Sequence, residues 1–183
     1  AEACAEAGAE VMLVAGPVSL KTNHSSIDRI DVESAEEMYR AVLSEYDRSD
    51  IAIMCAAVAD YAPETVSDVK LKRTGEDRIL RLRPNPDIAA ELGRRKRPGQ
   101  CLVGFALETN DEEMNARLKM EKKNLDFIVL NSLRDAGAGF QCDTNKVTVI
   151  GKQGDPVEIP CKPKIEVAAD IVDIIGRYVS EDR

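Results

Sequence analysis

Residues 51–60 read IAIMCAAVAD, and this stretch decides the fold. Small or apolar residues follow one another without interruption until the carboxylate of Asp60. A continuous apolar run bounded by a polar residue is typical of a strand that is buried on both faces of a sheet. We therefore predict a buried β-strand over 51–60 whose carboxyl end presents Asp60.

Similar apolar runs lie on both sides of this stretch and alternate with helical patterns. Further strands are predicted at AEVMLVAG (9–16), RIDV (29–32), CLVGFALET (101–109) and LDFIVLN (125–131). Capping boxes predict that helices begin at Ser34–Glu37 and Thr109–Glu112, and a closing helix is predicted at about 164–178. This alternation predicts an α/β protein with a Rossmann-like, mostly parallel sheet and helices on both faces.

Two segments break the alternation. Residues 66–84 contain VKLKR and RILRLRP, in which apolar and basic residues alternate, and we predict a flexible flap that carries lysines. Residues 137–160 contain KVTVI and predict a hairpin arm, with a possible contact between two copies of the chain. Both are expected to be antiparallel additions to the parallel core.

The first residues predict an incomplete amino-terminal end. Residues 1–7 have the pattern of the end of a helix that Gly8 closes. A doubly wound fold normally has a strand and a Gly-rich turn before its first helix. We expect residues 1–183 to form a single domain that lacks this first βα unit.

Composition and charge exclude several classes of protein. The 25 basic and 33 acidic residues give a formal charge of −8, which is unsuited to unspecific nucleic-acid binding. No apolar run approaches the roughly 18 residues of a membrane span, and acidic residues stand where an export signal needs bases. These features predict a cytoplasmic protein without nucleic-acid or membrane partners.

Cysteine and histidine usage argues against nucleophilic or zinc chemistry. None of the five cysteines forms a C-x-x-C pair, and Cys55 and Cys101 lie in apolar runs where cysteine acts as a small hydrophobe. His24, the only histidine, lies in a polar loop. A Ser-His-Asp or Cys-His mechanism therefore has little support.

Polar groups at strand and helix ends are the candidates for ligand binding, because ligands of parallel sheets bind beyond the carboxyl ends of the strands. Asp60 is suited to hold ribose hydroxyls or a divalent ion, or alternatively closes an Asx-turn. Asn85 and Pro86 predict an abrupt start to a helix over 86–95. Its free amides suit a phosphate, although a well-capped helix has the same pattern.

Two pairs of lysines have a suggestive spacing. Lys119 and Lys123 share one helix face beside a stripe of Met114 and Leu118 that we predict to face the core. They form either a polyphosphate clamp or a solvated surface. Residues 70 and 72 are both lysine and project to one side of an extended segment, either as a lid over a site or as protection of an edge strand.

These motifs occur in a specific order. AAVADY (56–61), the Lys-x-Lys arm, NPDI (85–88), GFALET (104–109) and RLKMEKKNLDFIVLN (117–131) follow one another, with GAEVMLVAGPVSL (8–20) before them and GFQCDTNKVTVI (139–150) after them. In this the chain resembles bacterial phosphopantothenoylcysteine synthetase, the C-terminal synthetase domain of the bifunctional coenzyme A biosynthesis flavoprotein. The resemblance covers nearly the whole chain, but the family's Gly-rich first loop is not in it.

The resemblance implies a CTP-dependent ligase. The carboxylate of 4′-phosphopantothenate would attack CTP to form an acyl-cytidylate and release pyrophosphate, and the amine of cysteine would then form the amide. Lys70 would be the catalytic lysine and would also contact the nucleotide. The other implied nucleotide-binding residues are Cys55, Ala56, Ala57, Asp60, Asn85, Pro86, Asp87, Ile88, Phe105, Lys119 and Lys123.

The resemblance also implies Mg²⁺, a homodimer and a fused or partner flavin decarboxylase domain, with no FMN in this domain. Two alternatives stay open. A nicotinamide-dependent oxidoreductase on the same fold would need G-x-G-x-x-G after a first strand, and no tyrosine here has a lysine four residues on. A non-catalytic nucleotide-binding or assembly module would bind CTP but release no pyrophosphate.

Overall fold

The computed structural model describes residues 1–73, 75, 77–108, 111–132 and 143–181. The helices are α1 (Glu2–Glu6), α2 (Ala35–Tyr46), α3 (Ile88–Arg95), α4 (Glu112–Lys122) and α5 (Lys164–Glu181). The strands are β1 (Val11–Ala15), β2 (Ile27–Asp31), β3 (Ile51–Met54), β4 (Tyr61–Pro63), β5 (Leu82–Pro84), β6 (Cys101–Glu108), β7 (Phe127–Ser132), β8 (Thr144–Gly151) and β9 (Val157–Pro163). No described helix is both long and apolar enough to span a bilayer.

The central sheet has five strands in the order β3-β6-β7-β8-β9. β3, β6 and β7 are parallel, whereas β8 and β9 join as antiparallel strands. β1 and β2 form a separate parallel pair, and β4 and β5 form a short antiparallel ladder. The predicted α/β fold with a mostly parallel, helix-flanked sheet is confirmed.

Two cores cover the two faces of the sheet. Side chains of α2, α3 and α4 pack on one face with Leu102, Ile128 and Ile150. α5 covers the other face, where Cys101 and Val103 are buried, and α1 lies against α5. Burial, reinforced by the nearby Asp126 carboxylate, raises the pKa of the Cys101 thiol to about 12, so this cysteine is an apolar filler as predicted.

The strand predicted over 51–60 is shorter than its composition suggests. β3 ends at Met54, whose partner on β6 is Gly104, and the small residues Cys55, Ala56 and Ala57 that follow are exposed. The backbone turns there, because the Val58 N–H donates to the Ala56 carbonyl. Asp60 is therefore at the end of an exposed loop and not at the end of the strand, which corrects the prediction.

The flap over 66–84 is only partly a ladder. β4 and β5 pair at its base, and the described residues between them form no regular element. No strand pairs with VKLKR (69–73) among the described residues, so the edge-strand alternative for its lysines finds no support there. Its apolar side chains are exposed: Val66, Val69, Leu71, Ile79 and Leu80.

The described part of the segment predicted as a hairpin over 137–160 adds two antiparallel strands to the central sheet. β8 pairs with β7 on one side and β9 on the other. Val147 and Val149 are buried under α5, and Ile150 is buried in the opposite core. Burial on both faces holds this strand inside the sheet. Residues 133–142 lie outside the described part of the chain.

One edge of β1 and one edge of β3 have no strand beside them among the described residues. The Val11 N–H and the Ala15 carbonyl bond toward β2, so alternation directs the backbone groups of Met12 and Val14 away from it. The Asp50 carbonyl accepts from the Cys101 N–H, so Ile51 and Ile53 likewise direct theirs away from β6. Two apolar parallel strands thus present open edges.

Candidate active site

The candidate site is formed by four parts of the fold. These are the carboxyl ends of β3 and β6, the loop after β3, the start of α3 and the last turns of α4. Asn85 ties two of these elements together. Its N–H donates to the Asp60 carbonyl at 2.8 Å, and its Nδ2 donates to the Ala59 carbonyl at 2.9 Å. Asn85 therefore fastens the loop 55–60 beside the entry to α3.

The start of α3 differs from the sequence prediction. Asp87, not Asn85, is the N-cap, and its Oδ1 accepts from the Ala90 N–H at 3.0 Å. The helix begins at Ile88, two residues later than predicted, and Pro86 precedes the cap. Asn85 lies two residues before the cap, and its side chain contributes to the loop instead, through the Nδ2 bond to Ala59.

Both lysines of the predicted clamp are held by carboxylates of other elements. Lys123 lies 2.9 Å from Asp87 Oδ2, and Lys119 forms an ion pair with Glu108 at the end of β6. A side chain is excluded where α3 meets the end of α4, because a Cβ on Gly93 would lie 1.9 Å from the Lys123 carbonyl oxygen. The two helices approach closely there, and this brings Lys123 to the cap of α3.

The charge state of Asp87 follows from these contacts. Burial favours the neutral acid, but the Ala90 N–H and the Lys123 ammonium together outweigh it and hold the pKa of Asp87 below its usual range. The carboxylate is therefore ionised at neutral pH. A nucleotide phosphate that binds Lys123 would meet this negative charge as well as the positive end of the helix dipole.

The orientation of α4 corrects a second prediction. Met114 and Leu118 are exposed by 58% and 57%, and the residues that face the core are Ala116 and Met120. The predicted apolar stripe is therefore a surface feature. α4 begins at Glu112 after the N-cap Asp111, and the capping box predicted at Thr109 lies outside the described residues.

The structure brings some predicted site residues together and leaves others apart. A backbone hydrogen bond joins Asn85 to Asp60, and an ion pair joins Lys123 to Asp87. Phe105 packs against the core under α5, on the opposite face of β6 from the lysines. Lys70 is exposed in the stretch without regular structure.

Glu108 also belongs to this arrangement, and it is not one of the nucleotide-binding residues predicted from the sequence. Its side chain is 14% exposed, although it is charged and ends a strand. The signal was present, since GFALET predicts a strand that delivers an acid to the carboxyl edge of the sheet. The sequence does not indicate that this acid pairs with Lys119, eleven residues away on α4; the tertiary structure shows the pair.

The protein groups do not form a metal cage within the described part of the chain. No three His, Cys, Asp or Glu side chains there come close enough to hold an ion. Protein-bound Mg²⁺ is commonly held by one or two carboxylates together with substrate phosphates. Asp87 and Glu108 are acids of this kind, and each already has a lysine partner.

Comparison with known proteins assigns the family. Residues 1–178 match the family described as the DNA/pantothenate metabolism flavoprotein C-terminal domain. The chain belongs to this family.

Individual relatives agree with the family. The chain is 47% identical to the coenzyme A biosynthesis bifunctional protein CoaBC of Bacillus subtilis over 96% of its length and 43% of the relative. It is 53% identical to a cysteine/cysteine sulfinic acid decarboxylase of an unknown prokaryotic organism, over 94% of this chain and 48% of that protein. The crystal structure of a C-terminal domain of CoaBC superposes with a TM-score of 0.82 at 36% identity, covering 99% of this chain and 80% of that one. The chain thus spans less than half the length of these curated relatives.

Proposed function

We propose that this domain is a phosphopantothenate–cysteine ligase that uses CTP. The observation that carries the proposal is the pair of α4 lysines, which lie at the end of β6 and at the cap of α3 in a chain of this family. A solvated helix face would leave both ammonium groups in water. Here each ammonium group is paired with a carboxylate beside the edge where parallel sheets bind their ligands, although about half of the Lys119 side chain is exposed.

The proposed chemistry needs positive charge more than a nucleophile. A carboxylate that attacks the α-phosphorus of CTP is repelled by the polyphosphate, and catalysis then consists mostly of positioning and electrostatic stabilisation. Lys119 and Lys123 would bind the phosphates and Lys70 would approach from the flap. Asp87 would be the acid available to a Mg²⁺ ion bound with the nucleotide, which would supply further neutralisation of phosphate charge.

Pyrophosphate release by a polypeptide extended upstream of residue 1 tests the proposal, because the resemblance places the family's Gly-rich loop there. We expect release with Mg²⁺, CTP and 4′-phosphopantothenate, and amide product and CMP only when cysteine is added. A non-catalytic module would bind CTP without releasing pyrophosphate under any combination. Consumption of a nicotinamide cofactor in place of CTP would establish the oxidoreductase alternative.

Asp60→Ala should raise the CTP concentration required for half-maximal rate by about tenfold or more, the size expected when a charge-assisted hydrogen bond is lost. Asp60 is the acid that Asn85 holds beside the start of α3. Asp155→Ala is the matched control, because Asp155 is an exposed acid between β8 and β9 at the other end of the sheet. An unchanged CTP titration for Asp60→Ala would remove Asp60 from the site.

We also propose that polypeptide preceding residue 1 supplies a parallel strand between the open edges of β1 and β3. α2, which connects β2 to β3 in the chain, packs on β1. α1 lies on the opposite face. Parallel crossovers are almost always right-handed, so a strand that leads through α1 into β1 would lie on the side of β1 away from β2. The greater length of the relatives leaves room for such a segment.

Hydrogen exchange should reveal this strand. In residues 1–183 the amides of Met12, Val14, Ile51 and Ile53 should exchange quickly. In a polypeptide extended upstream they should be protected by at least about a hundredfold, because ladder bonds in a central strand open rarely. Interior amides such as that of Val129 are the control. Edge amides with equal rates in both polypeptides would contradict the proposal.

The remaining assignments follow the bifunctional relatives. We propose that a flavin decarboxylase domain is fused to this one or associates with it, that the protein is cytoplasmic, and that two copies associate through residues 137–160. Sedimentation of the protein with and without CTP measures the association. A monomer at all concentrations would contradict the homodimer.

A further inference from the structure

Glu108 has a rigid and sheltered position at the candidate site. It is the last residue of β6, and its backbone is fixed by pairing with Ser132 of β7. Its side chain lies on the face of the sheet that carries α4. It is more sheltered than its partner, since 14% of Glu108 and 48% of Lys119 are exposed.

Lys119 on α4 and Lys123 at the carboxyl cap of the same helix are held in different ways. Asp87, the partner of Lys123, has a second task because it caps α3. Glu108 joins the end of a strand to the last turns of α4 across a short connection. An ion pair of this exposure adds little to stability, so its physical effect lies in where it keeps the ammonium group.

We propose that Glu108 is a positioning residue, which holds the Lys119 ammonium at the strand ends before the nucleotide binds. The proposal rests on the proposed function for the identity of the ligand. A lysine side chain has many rotamers, and ordering it upon binding opposes affinity. Because Glu108 orders Lys119 in advance, the phosphate encounters a cation that is already in place.

Kinetics of paired variants test this role. Glu108→Gln should raise the KM for CTP by about five- to tenfold, the size expected for one side chain that must be ordered on binding, with kcat within twofold. Glu113→Gln is the matched control, because Glu113 pairs with Arg117 on the exposed face of the same helix. The melting temperature should be the same for both variants.

The double variant separates positioning from direct contact. If Glu108 acts only through Lys119, then Glu108→Gln combined with Lys119→Gln should be no worse than Lys119→Gln alone. Additive losses would mean that Glu108 contacts the nucleotide or its metal, and a lower KM in Glu108→Gln would mean that it competes with phosphate. Either result overturns the proposal.

Acylation of lysines tests the same contact without a nucleotide. In the native protein Lys119 should react several-fold more slowly with an N-hydroxysuccinimide acetate than the exposed Lys122, measured by mass spectrometry. Glu108→Gln should remove the difference and Glu113→Gln should keep it. Equal rates in the native protein overturn the positioning role. Failure to bind CTP with this labelling pattern intact would contradict only the proposed function.

Discussion

Lys70→Gln should reduce kcat by at least about a hundredfold while the protein stays folded. Removal of one well-placed donor to a developing negative charge typically costs about 10²–10³ in rate. Lys70 is exposed on the flap and takes no part in either core, so the substitution leaves packing untouched. The measurement is product formation under saturating CTP, 4′-phosphopantothenate and cysteine.

Lys72→Gln is the matched control, because it removes the same charge from the same flap. If Lys70 acts at the reacting phosphorus, Lys72→Gln should keep most of the activity. Equal losses in both variants would indicate a general electrostatic effect of the flap. A wild-type rate for Lys70→Gln would contradict the catalytic role.

Asp126→Ala should destabilise the fold by about 3–5 kcal/mol, the usual cost of removing one partner from a buried ion pair. Asp126 is 6% exposed and immediately precedes β7. Its carboxylate accepts from Lys96 Nζ at 2.8 Å and from the Leu102 N–H at 2.7 Å, and Lys152 Nζ lies 3.1 Å away. The substitution leaves a buried amide and a sheltered ammonium without this acceptor.

The pKa of Lys96 indicates how far this ammonium depends on its partner. Burial lowers the pKa of Lys96, and the hydrogen bond to Asp126 opposes that effect. When the carboxylate is lost, the cost of burying the charged ammonium group is no longer offset. Thermal or denaturant unfolding measures the change. Asp173→Ala is the control, because its partner Arg177 is exposed by 73% and such pairs contribute about 0–1 kcal/mol. Similar losses for the two variants would contradict a buried role for Asp126.

Much of the fold could be predicted because local patterns carry it. The capping box at Ser34 forms as predicted, with Glu37 bonded back to the Ser34 N–H. Gly8 ends α1 with a φ of +90°, a conformation that glycine adopts without strain. Ile171 and Ile175 are buried as their helical spacing predicts.

The errors concern contacts between distant residues. Nothing in the sequence near Asn85 reveals that its side chain bonds to the Ala59 carbonyl, or that Asp87 caps the helix, which therefore begins two residues later than predicted. The apolar residues at 55–59 have a pattern typical of a strand, but β3 and β6 pair only as far as Met54 and Gly104. Met114 and Leu118 resemble a core stripe, but α4 turns Ala116 and Met120 inward.

The sequence by itself determined the α/β class, the order of most elements and the spacing that puts Lys119 and Lys123 on one helix face. Periodicity and capping depend on residues within a few positions of each other, so both can be identified from the sequence before the fold is known. Only the tertiary structure decided that Asp87 caps α3, that Glu108 holds Lys119, and that Asp126 joins Lys96 to Lys152. Those ion pairs and the shelter around them exist only after the strands and helices have been brought together.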